Sequence, residues 1–385
     1  MLEKQLTDKE TFKELNKYVK QDNSFKSGHI LGSMCTTPHP VGIKAYKMFL
    51  ETNLGDPGLF KGTSQMEKEV IHILGNLLHN DTACGYIVTG GTEANITAMA
   101  AAKFMFQKEN NNVPEMIIPE SAHFSFEKIG KLLSLKIKRI KLNKDYTLNI
   151  EDLKQNITNN TMAIVSVAGT TELGLIDPIP EISDIAYDEN IYLHVDAAFG
   201  GFILPFLDDD SIPDFDFINK GVSSITIDPH KMGRAPIPSG GILFRNEDYL
   251  KELKIKTPYL TINEQSTISG TRTGASVAAT WALLNYLGKK GYIKETNNVM
   301  KNTNYLYGKL NELSLDIIVK PKLNIVAFKS SLISVNDLKK SLDDCGWKVS
   351  TSIHPESIRI VVMPHVKKEH IDNFVSDLKL ILDNI

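Results

Sequence analysis

Short apolar runs alternate with amphipathic stretches along the middle of the chain. Nearly continuous apolar runs of strand length lie at 84–89, 116–119, 137–142, 162–168, 191–195, 223–227 and 240–244. Helical stretches occupy most of the intervals, for example 92–107 and 125–135. Because apolar strands separated by helices are typical of a sheet covered on both faces, the pattern predicts an α/β domain with a large, mostly parallel sheet. Ligands of such sheets bind beyond the carboxyl ends of the strands.

The pattern changes after Gly274. An apolar-rich helix is predicted at 276–287 and ends near Gly288. Beyond it, apolar runs at 324–328 and 358–363 alternate with helical stretches at 335–345 and 367–385, which predicts a small α+β domain. We therefore expect three parts. An N-terminal arm or helical segment (1–50) lies against the large domain or a partner subunit, and a large domain (51–285) and a small C-terminal domain (286–385) follow.

Composition narrows the class of protein. The 385 residues suit one large domain with a smaller one, and 43 basic against 46 acidic residues give a net charge of −3. This balance gives no electrostatic reason to expect nucleic acid or an anionic membrane as a partner. The three cysteines, Cys35, Cys84 and Cys345, are far apart, so neither a disulfide framework nor a zinc site is expected. With no apolar run of membrane length and no signal peptide, we expect a cytoplasmic protein without metal.

The strand predicted at 223–227 leads directly into Asp228-Pro229-His230-Lys231 and then into a loop rich in turn residues. A lysine that leaves a buried strand is partly desolvated, which favours the neutral amine. The neutral amine is the nucleophile in Schiff-base formation. Taken alone, however, this tetrapeptide is better explained by a solvated surface lysine.

A second strand, predicted at 191–195, ends in His194-Val195-Asp196-Ala197-Ala198. A carboxylate at this position can keep the pyridine nitrogen of pyridoxal 5′-phosphate (PLP) protonated, and the protonated ring is an electron sink for a carbanion. The small alanines leave room for a flat ring. The alternative is that Asp196 caps a turn or helix, which is common at strand ends. We interpret His194 as a core histidine with satisfied hydrogen bonds.

Two further motifs follow predicted strands. Gly90-Gly91-Thr92 opens a long helix, where glycines allow close approach of a phosphate and the first helical amides point at it. A simple N-cap by Thr92 explains the same residues. His123 follows the strand at 116–119, from which an imidazole can stack on a cofactor ring. A lone loop histidine is more often structural, so only its order relative to the other motifs favours the site.

These four motifs, in this order, resemble the group II PLP-dependent amino-acid decarboxylases, which have the aspartate-aminotransferase-like (type I) fold. The resemblance covers most of the chain, from Thr36-Thr37-Pro38-His39-Pro40 to the segment 359–365. It is strongest to the archaeal L-tyrosine/L-aspartate decarboxylases, whose sequences the segments 53–60, 169–174 and 270–274 also resemble. The resemblance implies PLP as cofactor, an amino-acid substrate and a homodimer with active sites at the interface.

The resemblance also implies a role for individual residues. Lys231 would bind PLP covalently, Asp196 would pair with its pyridine nitrogen, and His123 would stack on the ring. The other cofactor contacts implied are Gly91, Thr92, Thr170, Ala198, His230 and Thr271, the last reaching the phosphate in the partner subunit.

Three side chains are candidates for contact with the substrate. Arg359 would bind the substrate α-carboxylate, with an ordinary surface ion pair as the alternative. His39 and Phe60 would line the substrate pocket, and the stretch 53–60 would line the partner's pocket or its own.

Tyr259, in Lys256-Thr257-Pro258-Tyr259-Leu260-Thr261, is the candidate that protonates Cα after carbon dioxide leaves. The alternative is a core or rim tyrosine, and His123 is a second candidate proton donor.

The reaction implied is decarboxylation of L-tyrosine to tyramine, for methanofuran biosynthesis, or of L-aspartate to β-alanine, for coenzyme A biosynthesis. L-Glutamate remains an alternative substrate. Another PLP lyase of the same fold and a non-catalytic PLP-binding protein remain alternative functions. A metal hydrolase is the weakest alternative, because the ten histidines show no H-E-x-x-H or clustered spacing.

Overall fold

A computed structural model describes residues 5–385, so the first four residues of the predicted arm lie outside the described part. The arm contains α1 (Asp8–Val19) and α2 (Pro40–Met48). Thr7 caps α1 in a capping box, because its hydroxyl accepts from the Glu10 amide while the Glu10 carboxylate accepts from the Thr7 amide. No residue of α1 is buried. Among the described residues, no helix is both long and apolar enough to cross a bilayer.

A seven-stranded sheet with helices on its faces forms the large part of the molecule. Its elements are α3 (Lys61–Leu77), β1 (Cys84–Val88), α4 (Gly91–Glu109), β2 (Glu115–Pro119), α5 (Ser125–Leu133), β3 (Lys136–Ile140), α6 (Ile150–Asn156), β4 (Thr161–Val167), α7 (Ile179–Asp188), β5 (Tyr192–Asp196), β6 (Val222–Ile227) and β7 (Gly240–Phe244). The strand order is β1-β7-β6-β5-β4-β2-β3. The prediction of a mostly parallel sheet is confirmed, and each predicted strand is present with ends that differ by at most two residues.

One strand departs from the parallel arrangement. β7 runs antiparallel to both of its neighbours, β6 and β1. A parallel return requires a crossover of a dozen or more residues, usually a helix. The connection from β6 to β7 contains no helix, so the chain turns back and pairs antiparallel. This connection is the loop that carries Lys231.

The C-terminal part begins with α8 (Asp248–Lys251) and a hairpin of β8 (Ile255–Lys256) and β9 (Glu264–Gln265). The remaining elements are α9 (Gly274–Glu312), β10 (Asp316–Ile317), β11 (Ile325–Lys329), α10 (Val335–Asp344), β12 (Ser350–Ile353), β13 (Glu356–Val361) and α11 (Lys368–Asp383). The four strands β10 to β13 form an antiparallel sheet in the order β10-β11-β13-β12. Its core includes the fully buried Trp347, Phe328 and Phe374.

Helix α9 is broken at Gly288, whose φ of +54° and ψ of −175° are not helical. The glycine has no Cβ to oppose this conformation, so the helix changes direction there. The predicted division between residues 285 and 286 falls close to this break and stays a prediction.

Candidate active site

A cavity of about 420 Å³ lies beyond the carboxyl ends of the parallel strands. It collects residues from β4, β5 and the loops that follow β1, β2 and β6. Seven residues predicted for the site line it: Gly91, Thr92, His123, Asp196, Ala198, His230 and Lys231. Four separate segments of sequence therefore meet at one place in the fold.

The Lys231 amine faces a buried carboxylate. Its Nζ lies 3.2 Å from Oδ2 of Asp228, which is 1% exposed. The loop is tightened by a hydrogen bond of 3.0 Å from the Lys231 amide to the Asp228 carbonyl. Oδ1 of Asp228 has no hydrogen-bond partner among the described residues. A buried carboxylate with an unused oxygen is ready to accept a further donor inside the cavity.

The ring of His230 offers a hydrogen-bond donor near Asp228. Its Nδ1 accepts a hydrogen bond from the Ser239 amide at 3.2 Å, so a neutral ring carries its hydrogen on Nε2. Burial lowers the pKa of His230, which keeps the ring neutral near pH 7. Nε2 lies 3.7 Å from Oδ2 of Asp228, which is too far for a hydrogen bond. The Nε2–H group therefore remains available to another acceptor, such as an anion.

The amino end of α4 has the properties of an anion site. The first amides of a helix have no carbonyl partner one turn earlier, and no side chain caps α4. Gly90 and Gly91 allow close packing in this region: a Cβ on Gly91 would lie 3.1 Å from Asp228 Oδ2, and one on Gly90 would lie 3.2 Å from His230 Cε1. The backbone at Gly240 also packs closely against Gly90, because a Cβ on Gly240 would lie 2.4 Å from Gly90 Cα.

Asp196 is held in one orientation at the end of β5 and is 6% exposed. Its Oδ1 accepts from the Ala198 amide at 3.1 Å, and its Oδ2 accepts from Nδ2 of Asn95 at 2.9 Å. Asn95 stands one turn into α4, so this carboxylate links the strand to the helix that carries the glycine pair.

His194 is fully buried with both ring nitrogens hydrogen bonded, as predicted. Nδ1 contacts Ser224 Oγ at 2.7 Å and Nε2 contacts Asn95 Oδ1 at 3.0 Å. Burial lowers the pKa of His194 to about 4, against a smaller opposing effect of Asp196. The strand alternation places His194 on the same face of β5 as Asp196, so it belongs to the surroundings of the site.

His123 forms one wall of the cavity. Its Nδ1 accepts from the Ser125 amide at 3.2 Å, so a neutral ring carries its hydrogen on Nε2. Burial lowers the pKa of His123, and Lys231 adds to this effect while Asp196 opposes it. The imidazole is therefore a neutral, flat group beside the cavity.

Three predicted residues lie outside the cavity wall. The Thr170 hydroxyl accepts from the Leu175 amide at 3.0 Å, and the neighbouring Thr171 lines the cavity instead. Arg359 is 8% exposed and donates to the carbonyls of Thr171 and Gly32 and to Ser350 Oγ. The alternative prediction, an ordinary surface ion pair, does not describe this buried side chain. His39 caps α2 and contacts the Tyr286 ring at 5.3 Å between centroids. 

Three other predicted residues lie on one face formed by hydrogen-bonded segments. Tyr259 is 85% exposed near the tip of the β8–β9 hairpin, away from the cavity of its own chain, so it is not a core tyrosine. Phe60 precedes α3, in the stretch that meets the hairpin where Asp56 accepts from the Thr261 amide at 3.0 Å. Thr271 lies in a loop joined to the same stretch, because Asn53 Oδ1 accepts from the Arg272 amide at 3.1 Å.

The sequence interpretation missed several residues of the site. Asn95 has no role in the sequence interpretation, although it lies one helical turn beyond Gly91. Asp228 was read only as part of the lysine motif, and Cys35 and Thr171 line the cavity unforeseen. The spacing of Asn95 and Gly91 was a usable signal, whereas Cys35 reaches the cavity only through the tertiary fold.

The residues present fit PLP. An anion site at the amino end of α4 suits the phosphate, the Asp196 carboxylate suits the pyridine nitrogen, and the Lys231 amine lines the same cavity. The first amides of α4 and the His230 Nε2–H are donors that suit a phosphate, and the absence of a Cβ at Gly90 and Gly91 lets the backbone pack closely against His230 and Asp228.

Comparison with known proteins agrees with this assignment. The pyridoxal-dependent decarboxylase conserved domain matches residues 62–331. The chain is 57% identical over 385 residues to the probable L-tyrosine/L-aspartate decarboxylase of Methanosphaera stadtmanae, covering 99% of each. It is 48% identical over 373 residues to the L-aspartate/L-glutamate decarboxylase of Pyrococcus horikoshii, covering 96% of each. Among solved structures, the sphingosine-1-phosphate lyase of Burkholderia pseudomallei superposes with a TM-score of 0.92 at 26% identity, covering 99% of this chain and 92% of that one.

The buried His194 ring gives the stability a specific pH dependence. Its pKa of about 4 in the folded chain compares with about 6.5 in an unfolded chain, so between these values the unfolded chain binds a proton that the folded chain does not. Stability is therefore lost as the pH falls below about 6.5. We expect the free energy of unfolding to fall by about 3 kcal/mol more in the wild type than in His194→Gln between pH 7 and pH 4. Urea unfolding of both proteins measures this, and equal pH slopes would contradict a neutral buried ring.

Proposed function

This chain belongs to the pyridoxal-dependent decarboxylase family, and from that premise we propose that it removes the α-carboxyl group of L-tyrosine and L-aspartate. The products are tyramine and β-alanine. The decarboxylase class and the PLP cofactor follow from the family. The choice of substrates rests on the full-length similarity to a relative that carries both substrates in its name.

One structural observation carries the chemical part of the proposal: Lys231, Asp196, His123 and the amino end of α4 line the same cavity. When bound, the cofactor supplies an electron sink for the electron pair left at Cα when carbon dioxide departs. The chain's own residues then have separate tasks. The α4 amides and His230 Nε2–H bind the phosphate, and Asp196 holds a proton on the pyridine nitrogen.

Lys231 is suited to exchange with the substrate amine. Asp228 Oδ2 lies 3.2 Å from Nζ, so the released amine has a carboxylate that keeps it near the reacting atoms. The walls formed by His123 and Phe199 exclude water from one side of the cavity. Because decarboxylation requires the Cα–carboxylate bond to stand perpendicular to the ring, orientation of the substrate decides the reaction.

Arg359 is our candidate for binding a substrate carboxylate. Each of its three nitrogens donates one hydrogen bond within the chain, which leaves a second N–H on each terminal nitrogen. Its partner Thr171 lines the cavity, so the guanidinium lies directly behind the wall. Burial lowers the pKa of Arg359 while Glu172 opposes this, and the group stays a cation near neutral pH.

A homodimer would give a role to the predicted residues that lie away from the cavity. The stretch 53–60, the hairpin with Tyr259 and the loop with Thr271 are hydrogen bonded to one another. Leu59, Tyr259 and Ile268 on these segments are exposed apolar groups, which favours contact with another surface. We propose that this face meets a second copy and that Phe60, Tyr259 and Thr271 act at the cavity of that copy. Tyr259 would protonate Cα there, and Thr271 would contact the phosphate.

Two wider assignments follow from the same proposal. Tyramine and β-alanine production would serve methanofuran and coenzyme A biosynthesis, and three scattered cysteines suit the reducing cytoplasm.

L-Glutamate is a second candidate substrate, favoured by the Pyrococcus horikoshii relative whose name includes it. His39 remains a proposed substrate contact, and its ring lies beside that of Tyr286. Thr170 remains a proposed neighbour of the cofactor, because the adjacent Thr171 lines the cavity.

The substrate proposal is tested by product analysis. Purified protein with PLP is given L-tyrosine, L-aspartate or L-glutamate separately, and amines are identified by mass spectrometry. We expect tyramine and β-alanine, with neither product formed by Lys231→Ala, because that variant lacks the amine that exchanges with the substrate. γ-Aminobutyrate as the main product would replace the proposed substrates by L-glutamate.

Subunit mixing tests whether Tyr259 acts on a second copy. Lys231→Ala and Tyr259→Phe are each expected to lose most amine production, the second by about 10²-fold as a lost general acid. If Tyr259 reaches the other subunit's cavity, co-expression restores about one quarter of the wild-type rate, because half of randomly paired dimers are mixed and one of their two sites is intact.

Mixed dimers that remain inactive, although shown to form by differential tagging, would instead place Tyr259 in its own chain's site. Full activity of Tyr259→Phe alone would remove this residue from the reaction and leave His123 Nε2–H as the proton donor.

A further inference from the structure

Behind the cavity, the buried strands β5 and β6 carry polar side chains at alternate positions. Tyr192, His194 and Asp196 occupy one face of β5, and Ser224 and Thr226 occupy the same face of β6. The strands pair His194 with Ser224 and Asp196 with Thr226. All five side chains are buried, and Asn95 of α4 lies over them. Buried polar groups in such numbers require a common hydrogen-bond network.

The direction of each hydrogen bond in this network follows from its partners. A carboxylate only accepts, so the Asn95 group facing Asp196 is its Nδ2 amine, at 2.9 Å from Oδ2. Asn95 Oδ1 then faces the strands as an acceptor. It receives the Thr226 hydroxyl at 2.6 Å and the His194 Nε2–H at 3.0 Å. With Ser125 Oγ at 3.2 Å as the second acceptor of Nδ2, the Asn95 amide has no unused capacity.

The assignment of Nε2 as a donor fixes the rest of the network. In a neutral imidazole the other nitrogen, Nδ1, must accept, and its partner at 2.7 Å is the Ser224 hydroxyl. Ser224 has one hydrogen, so its oxygen accepts from the Tyr192 hydroxyl at 2.7 Å. Burial lowers the pKa of His194 to about 4 and raises that of Tyr192, so both stay in these neutral forms near pH 7.

We propose that Asn95 and His194 are positioning residues that hold the Asp196 carboxylate in the orientation needed by the cofactor's pyridine nitrogen, through a one-way chain of hydrogen bonds from Tyr192 to Asp196. The order of donation is Tyr192, Ser224, His194, Asn95, Asp196. Its consequence for the reaction rests on the proposed function, whereas its direction rests only on the geometry of this chain.

The physical effect comes from the alignment of the donors. Every member donates toward the carboxylate, so each bond polarises the next in the direction that stabilises negative charge. A carboxylate that accepts hydrogen bonds is favoured in its charged form. No member of the chain carries a net charge before Asp196, so no second charge competes for the pyridine nitrogen. Asn95 also fixes the rotation of the carboxylate, which the Ala198 amide supports from the other oxygen.

Ring NMR of the apoprotein tests the direction of the chain without any cofactor. In protein with ¹⁵N-labelled histidine, we expect His194, assigned by its loss in His194→Gln, to show one protonated and one unprotonated ring nitrogen, with the hydrogen on Nε2 at neutral pH. A hydrogen on Nδ1, or a charged ring at pH 7, would overturn the proposal whatever the activity of the enzyme.

The effect on the cofactor is tested with Asn95→Leu, which keeps the branched shape of the side chain but removes both the donor and the acceptor. With ¹⁵N-labelled PLP, we expect a protonated pyridine nitrogen in the wild type and a largely unprotonated one in the variant. Cofactor affinity and amine production should each fall by about 10-fold to 100-fold, as for loss of a hydrogen bond to a charged group. An unchanged nitrogen signal in folded Asn95→Leu would refute the positioning role.

Matched variants separate positioning from general damage to the core. Thr97→Val removes a buried hydroxyl two residues along α4, whose one hydrogen bond among the described residues is to the Glu93 carbonyl. We expect wild-type nitrogen signals from this variant. His194→Gln keeps a side-chain N–H for Asn95 and should retain more pyridine protonation than His194→Leu. If Asn95→Leu does not fold, Ser224→Ala removes the donor to Nδ1 and should shift the pyridine signal in the same direction by less.

The two proposals can fail separately. Wild-type protein that binds PLP but forms no amine would end the proposed reaction while the ring and pyridine signals still decide the hydrogen-bond chain. Equal pyridine protonation in His194→Gln and His194→Leu would refute the role of His194 even in a fully active decarboxylase.

Discussion

The buried carboxylate of Asp196 is the interaction on which the rest of the site depends. A charge at the end of an apolar strand is costly unless donors surround it, and here the Asn95 amide and the Ala198 backbone supply them. Because Asn95 belongs to α4, the same contact joins Asp196 to the helix whose amino end is the proposed phosphate site. This hydrogen bond therefore ties the strand that carries Asp196 to the helix that carries the glycine pair.

Asp228 is a second buried carboxylate in the same cavity as Asp196. Asp228 faces Lys231 at 3.2 Å, beside His230, and keeps an oxygen free of other contacts among the described residues. The two buried carboxylates of this cavity have different partners: Asp196 accepts from neutral donors, and Asp228 faces an amine. The loop after β6 makes this possible, since its tight return into β7 brings Lys231 back over the carboxyl ends of the strands.

The sequence predicted the sheet and seven cavity residues because both depend on local patterns: apolar runs, a glycine pair before a helix, and polar residues at strand ends. It did not predict the role of Asn95 or His194, which depends on α4 lying across two paired strands. A signal was present, since Tyr192, His194 and Asp196 alternate with apolar residues in a buried strand. Phe60, Tyr259 and Thr271 are a different case, because their proposed partners lie in a second copy of the chain.

We propose that Lys231 carries the cofactor within this cavity. Reduction of the PLP-loaded protein with borohydride, followed by digestion and mass spectrometry, locates the attached pyridoxyl group directly. We expect a single modified peptide that contains Lys231 and is absent from Lys231→Ala. Stoichiometric modification of a different lysine, with Lys231 unmodified, would contradict it.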